Sequence, residues 1–116
     1  MTIYHNPRCS KSRETLALIQ SKGIEPVIIE YLKNTPTVKE LKQLLMKLNM
    51  KPQQLIRKSE PLYKEKLKDK NFTDNEWLKI MTENPILIER PIVVKGNKAV
   101  IGRPPENLLE IINYEL

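Results

Sequence analysis

One cysteine stands in the chain, at position 9 of "YHNPRCSKSRE", and Arg8, Lys11 and Arg13 all lie within four residues of it. No acid appears until Glu14. A helix start ordinarily attracts Asp and Glu, because its unpaired N–H groups present partial positive charge. Cations crowded there break a local rule, and such breaks concentrate where a site demands them. A free thiol ionises near pH 8.5, and a helix amino terminus with nearby cations can draw that down to roughly 3.5–7.5. The same N–H groups can hold an oxyanion. The chemistry implied is a thiolate attacking a tetrahedral anion. A buried, inert thiol is the ordinary fate of a lone cysteine, but these polar, basic surroundings favour a reactive one. His5 offers either a proton donor or a structural hydrogen bond at the end of the preceding strand. One Cys and one His cannot supply the four ligands of a structural zinc site.

The position matters as much as the neighbours. "MTIYH" reads as a short strand that Pro7 stops, and a helix follows from about Ser10 to Lys22 with Gly23 at its C′ position. "PVIIEYL", residues 26–32, reads as a buried strand. Capping-box pairs Thr37/Glu40 and Thr73/Glu76 announce two middle helices, one carrying Val38, Leu41, Leu44, Leu45 and Leu48, the other Trp77, Ile80 and Met81. Between them Pro52 opens a short turn through Ile56, and a charged, weaker helix is expected near Leu62 to Lys68. "PIVVKGNKAVIG" has the Gly-Asn pair of a hairpin, and Pro104 and Pro105 start a last helix through about Ile112. The order β-α-β, helices, β-β-α is an α/β thioredoxin-like arrangement with a helical insertion at about 37–84. In it the thiol follows the first strand. "CSKS" then has the spacing of a Cys-x-x-Cys redox pair, with Ser12 in place of the second cysteine.

With 116 residues the chain has room for a single domain, residues 1–116, around one core. Hydrophobic residues at 40% and charged residues at 29% fit a folded protein. No run suggests a membrane span or signal peptide, so a cytoplasmic location is expected, and the unpaired cysteine suits a reducing compartment. A net charge of +6 admits anionic partners without choosing among them. Much of it lies in "YKEKLKDK", residues 63–70, which reads as a solvated helix face. With one Phe and one Trp there is no stacking surface for single strands, so no nucleic-acid partner is expected.

A cysteine phosphatase cradles its anion with Cys-x5-Arg, but Thr15 stands six residues after Cys9. The clamp must come from elsewhere. Arg57 in "LIRKSEP", Arg90 in "ERPIVV" and Arg103 in "IGRPPE" stand at element junctions. Arginine's planar fork pairs bidentately with oxyanions. An Arg-Pro junction before the third strand also makes a cis bond a candidate.

"YHNPRCSKSR", "LIRKSEPLY", "PILIERPIVV" and "IGRPPE" together resemble the arsenate reductases that use glutathione and glutaredoxin, over nearly the whole chain. The resemblance implies a thioredoxin-like fold with a helical insertion and Cys9 as the catalytic cysteine. It implies Arg57, Arg90 and Arg103 as oxyanion ligands, His5, Asn6, Ser12 and Arg13 around the thiolate, and Pro91 as the cis proline. It further implies arsenate as substrate, glutathione as co-substrate with no tightly bound cofactor, glutaredoxin as partner, and a monomer. This chain ends soon after its last expected helix, where some members carry a longer tail. Related Spx-like regulators bind RNA polymerase and sense oxidation through Cys-x-x-Cys, which Ser12 interrupts; they and a monothiol glutaredoxin-like oxidoreductase are the alternatives.

Overall fold

The computed structural model describes residues 1–112. They fall into two compact units: residues 1–34 with the segment from Arg90 onward, and Thr35–Glu89.

The first unit is built on a four-stranded sheet of order β2-β1-β3-β4. Strand β1 (Thr2–His5) leads into helix α1 (Ser10–Ser21), which returns the chain to β2 (Val27–Glu30), parallel to β1. Gly23 follows α1 with φ +76°, a left-handed turn that costs glycine little. Strands β3 (Ile92–Lys95) and β4 (Lys98–Ile101) form the hairpin expected at Gly96-Asn97, and β3 runs antiparallel to β1. A tight turn over Pro105–Leu108 and the short helix α4 (Leu109–Ile112) complete it. This is the thioredoxin-like α/β topology.

Register explains the core. Ile3 lies opposite Val93, and Val93 opposite Val100. These three, with Ile19 of α1 and Leu108 and Ile111 after the sheet, form one buried cluster. Removing a side chain such as Leu or Phe from water contributes about 1.5–3 kcal/mol, so this row joins helix and hairpin to β1. The expectation of a buried strand at 26–32 fails. The strand covers only Val27–Glu30 and lies at the sheet's edge, with Val27 62% and Ile28 46% exposed. An apolar run signals a strand, but its place in the sheet is set by the other strands.

Thr15 and Gly102 meet where α1 crosses the end of β4. Thr15 is fully buried and its hydroxyl donates to the Gly102 carbonyl at 3.2 Å. A Cβ on Gly102 would stand 2.8 Å from Thr15 Oγ1 and 3.0 Å from Pro91 Cγ, so no side chain fits without displacement.

The second unit is helical: α2 (Val38–Leu48) and α3 (Asp74–Glu83), with tight turns at Pro52–Leu55 and Pro85–Leu87. Both capping boxes form as the sequence indicates. Glu40 N–H donates to Thr37 Oγ1 at 3.1 Å and Glu76 N–H to Thr73 Oγ1 at 3.2 Å, and each glutamate carboxylate accepts the threonine N–H in return. Leu41, Leu44, Leu45, Trp77, Leu78 and Met81 are buried, and Phe72 meets Trp77 edge-on at 4.9 Å. Ile56 and Ile88 form an antiparallel bridge, flanked by Arg57 N–H on the Leu87 carbonyl at 2.7 Å. The weaker helix expected at 62–68 is a widened π-type turn over Tyr63–Leu67, closed by Lys68 N–H on the Tyr63 carbonyl at 2.9 Å. None of its five residues is buried, so little packing enforces α geometry. Among the described residues no helix is long and apolar enough to cross a membrane.

Thr37→Ala and Thr73→Ala should each lower unfolding free energy by about 1 kcal/mol, read as a lower urea midpoint with unchanged slope. Gly102→Ala should cost about 1–3 kcal/mol through overpacking, and combining it with Thr15→Ser, which removes one clashing atom, should recover part of that loss.

Candidate active site

The loop between β1 and α1 is ordered by its own polar groups. Asn6 accepts twice, its carbonyl from Cys9 N–H and its Oδ1 from Arg8 N–H, both at 3.0 Å. Cys9 is therefore held in extended conformation (φ −93°, ψ 122°) as the residue that caps α1, half-buried and unpaired. Ser12, fully buried in the first turn, ties helix to strand: its hydroxyl accepts from Asn6 N–H at 3.0 Å and lies 2.6 Å from His5 Nδ1. The serine in the second position of the Cys-x-x-Cys spacing thus bonds strand-end groups.

Burial lowers the pKa of His5, and nearby Arg13 lowers it further, against a raising influence from Glu30. The imidazole is neutral at pH 7. Ser12 Oγ accepts from Asn6 N–H and can either donate to Nδ1 or accept from it, according to the ring tautomer. A buried neutral histidine bonded to serine matches the structural reading of His5 better than a proton donor to the thiol.

Two opposing influences set the thiol. Burial raises its pKa, while the Ser12 N–H, a hydrogen bond from the Arg90 guanidinium, the Lys11 N–H and the charge of Arg90 lower it. The net effect is a pKa below the ordinary thiol value. Arg103 also reaches the sulfur, with Nη1 3.8 Å from Sγ. The cations adjacent in sequence are engaged elsewhere. Lys11 Nζ pairs with Glu14 at 3.4 Å, Arg13 donates to the Pro7 carbonyl at 3.0 Å, and Arg8 is exposed. Lys11 acts through its backbone rather than its ammonium group, and Arg13 braces the loop.

Arg90 and Arg103 flank the open end of the β3–β4 hairpin, one just before β3 and the other just after β4. Each precedes a cis proline, Pro91 and Pro104; the sequence pointed to the first and gave no separate signal for the second. Gly102 N–H donates to the Pro91 carbonyl at 2.9 Å, joining the two arginine-bearing segments. Arg57 belongs to the helical unit, where its Nε lies 3.4 Å from the Glu60 carboxylate and donates to Ser59 Oγ at 3.1 Å. Its Nη1 is buried without a hydrogen-bond partner among the described residues.

A nucleophilic sulfur, N–H groups turned toward it and two guanidiniums within reach can bind a tetrahedral anion and attack its central atom. Comparison with known proteins agrees with that chemistry. The model of the ArsC family matches residues 4–111. The chain is 49% identical over 112 residues to the arsenate reductase of Haemophilus influenzae, covering 95% of this chain and 97% of that protein. It is equally similar, at 49% over 112 residues, to the uncharacterized protein YfgD of Escherichia coli K12, covering 95% of this chain and 94% of that one. A solved structure named as an arsenate reductase from Vibrio cholerae superposes with a TM-score of 0.91 at 51% identity, covering 95% of each chain. The family match contains the thiol loop and both cis-proline junctions, and with these identities it establishes that the chain belongs to the ArsC family.

Proposed function

We propose that the protein reduces arsenate to arsenite with glutathione and glutaredoxin, through a covalent bond between Cys9 and arsenic. The observation that carries this reading is the half-buried Cys9 sulfur at the start of α1, with Arg90 hydrogen-bonded to it and Arg103 3.8 Å away. The family membership and the relatives named as arsenate reductases support the choice of oxyanion.

Arg90, Arg103 and the N–H groups at the start of α1 neutralise the bound arsenate. The Cys9 thiolate attacks arsenic, a sulfur–arsenic bond forms, and one arsenate oxygen leaves as water after protonation. Glutathione thiol displaces a second oxygen, again as water, so that arsenic carries both sulfurs and remains pentavalent. A glutaredoxin thiolate then attacks the glutathione sulfur. A glutaredoxin–glutathione disulfide forms, the electron pair of the broken sulfur–arsenic bond stays on arsenic, and arsenic becomes trivalent. Hydrolysis of the remaining bond releases arsenite and restores Cys9. With one cysteine in the chain, no internal thiol can resolve the intermediate, so an external one must complete turnover. Arg57 enters this reading on family resemblance, as a further oxyanion ligand.

Arsenate-dependent NADPH oxidation, with glutathione, glutathione reductase and glutaredoxin supplied, should be abolished in Cys9→Ser. Arg90→Ala and Arg103→Ala should each lower kcat/KM on the order of a hundredfold, as removal of an oxyanion donor does; Arg57→Ala belongs in the same series. Arsenate turnover by Cys9→Ser would sink the covalent mechanism.

The lowered thiol pKa fixes the direction of a pH dependence. The reactive thiolate exists above its midpoint, so alkylation by iodoacetamide should fall as pH drops through a midpoint lower than that of an unperturbed thiol. Arg90→Ala removes a hydrogen bond and a charge that favour the thiolate and should move the midpoint upward. An unchanged midpoint would remove Arg90 from the site.

A further inference from the structure

We infer that Asn107, with Thr15, is a positioning residue for Arg103, holding the backbone on both sides of it so that the guanidinium stays within reach of the Cys9 sulfur.

Strand β4 ends at Ile101 and is followed by Gly102, Arg103 and two prolines. Pro104 and Pro105 have no N–H, so this corner cannot hold itself with backbone donors at those positions. Its carbonyls still require partners if they are to be shielded from water. Side chains supply them at three successive residues. Asn107 Nδ2 donates to the Ile101 carbonyl at 3.0 Å and to the Arg103 carbonyl at 3.2 Å, and Thr15 Oγ1 donates to the Gly102 carbonyl between them. Asn107 uses both hydrogens of its amide to span Arg103's attachment to the chain. It is itself anchored, because its N–H donates to the Pro104 carbonyl at 3.0 Å and the adjacent Leu108 is fully buried in the core.

Thr15 adds a common reference. It lies on α1, the helix that Cys9 caps, so one helix positions the sulfur and, two turns further on, the carbonyl next to Arg103. The distance from the sulfur to the Arg103 backbone is thereby set through a short path: Cys9, α1, Thr15, Gly102, Arg103. Arg103's side chain is long and flexible, and a fixed backbone is what limits the volume it searches. Neither Asn107 nor Thr15 need touch the anion to act in this way.

A double-mutant cycle on the full chain tests it, because a residue acting through Arg103 has nothing to act on once Arg103 is alanine. Asn107→Leu is nearly isosteric and removes both donated bonds, and Thr15→Val removes only the hydroxyl. Each is compared with Arg103→Ala and with the corresponding double variant. The measurements are the pH midpoint of Cys9 alkylation by iodoacetamide and kcat/KM for arsenate, with a thermal melt to establish folding. Asn107→Leu should move both quantities in the direction of Arg103→Ala, with about a five- to tenfold loss of kcat/KM. It should add no further change in the Arg103→Ala background, and Thr15→Val should follow the same pattern with a smaller effect.

The inference is overturned if the single variants match the natural protein, if their losses persist undiminished without Arg103, or if Arg103→Ala itself leaves both measurements unchanged. Only the kinetic readout rests on the reductase reading. Were the natural protein inactive with arsenate, that reading would fail while the alkylation cycle still decided the role of Asn107 and Thr15.

Discussion

A half-buried sulfur can carry negative charge only if something close by replaces the water it has lost. Burial alone drives Cys9 toward its neutral form, and an unpaired charge in a low-dielectric setting would cost several kcal/mol. The replacement has two parts. The start of α1 supplies N–H groups that its geometry leaves without intrahelical partners, and the distant Arg90 supplies a hydrogen bond and a full charge. Much else in the first unit serves these two supplies. Asn6 and Ser12 fix where the helix begins, and the antiparallel pairing of β3 with β1 brings the arginine-bearing end of the hairpin to the helix start.

The loop chemistry divides labour between charge and shape. His5 and Ser12 contribute no net charge at neutral pH, yet their 2.6 Å contact closes the space between strand and helix and occupies the position where a dithiol protein keeps its second sulfur. That leaves Cys9 without an intramolecular disulfide partner. A thiol so placed is protected from internal disulfide formation and depends on outside thiols to finish any covalent step.

Local signals in the sequence were reliable wherever the deciding interactions are local. Both capping boxes, the Gly96-Asn97 hairpin, the Gly23 helix end and the thiol at a strand-to-helix junction form as read, because each depends on residues a few positions apart. Signals that depend on distant partners were misread. "PVIIEYL" reads as a buried strand because edge and buried strands share one apolar pattern, and the charged segment near Lys64 reads as α-helical because spacing does not reveal missing packing. The site shows the same division. Crowded cations drew attention to Cys9, but Lys11 and Arg13 turn their charged groups to Glu14 and Pro7, while Arg90 comes to the sulfur from eighty-odd positions away. Thr15 and Asn107 carry no charge or periodicity that could have marked them.

Gly102 sets a mechanical condition on this hairpin. Its N–H is bonded to Pro91, beside Arg90, and its carbonyl to Thr15, while the next residue is Arg103. With no space for even a methyl group at its Cα, the contact works as a rivet between the two arginine segments. Sequence drift can strengthen or weaken either guanidinium separately, by changing what surrounds it. Changing their spacing would require both segments and α1 to shift together, so the gauge of the clamp is a property of the backbone.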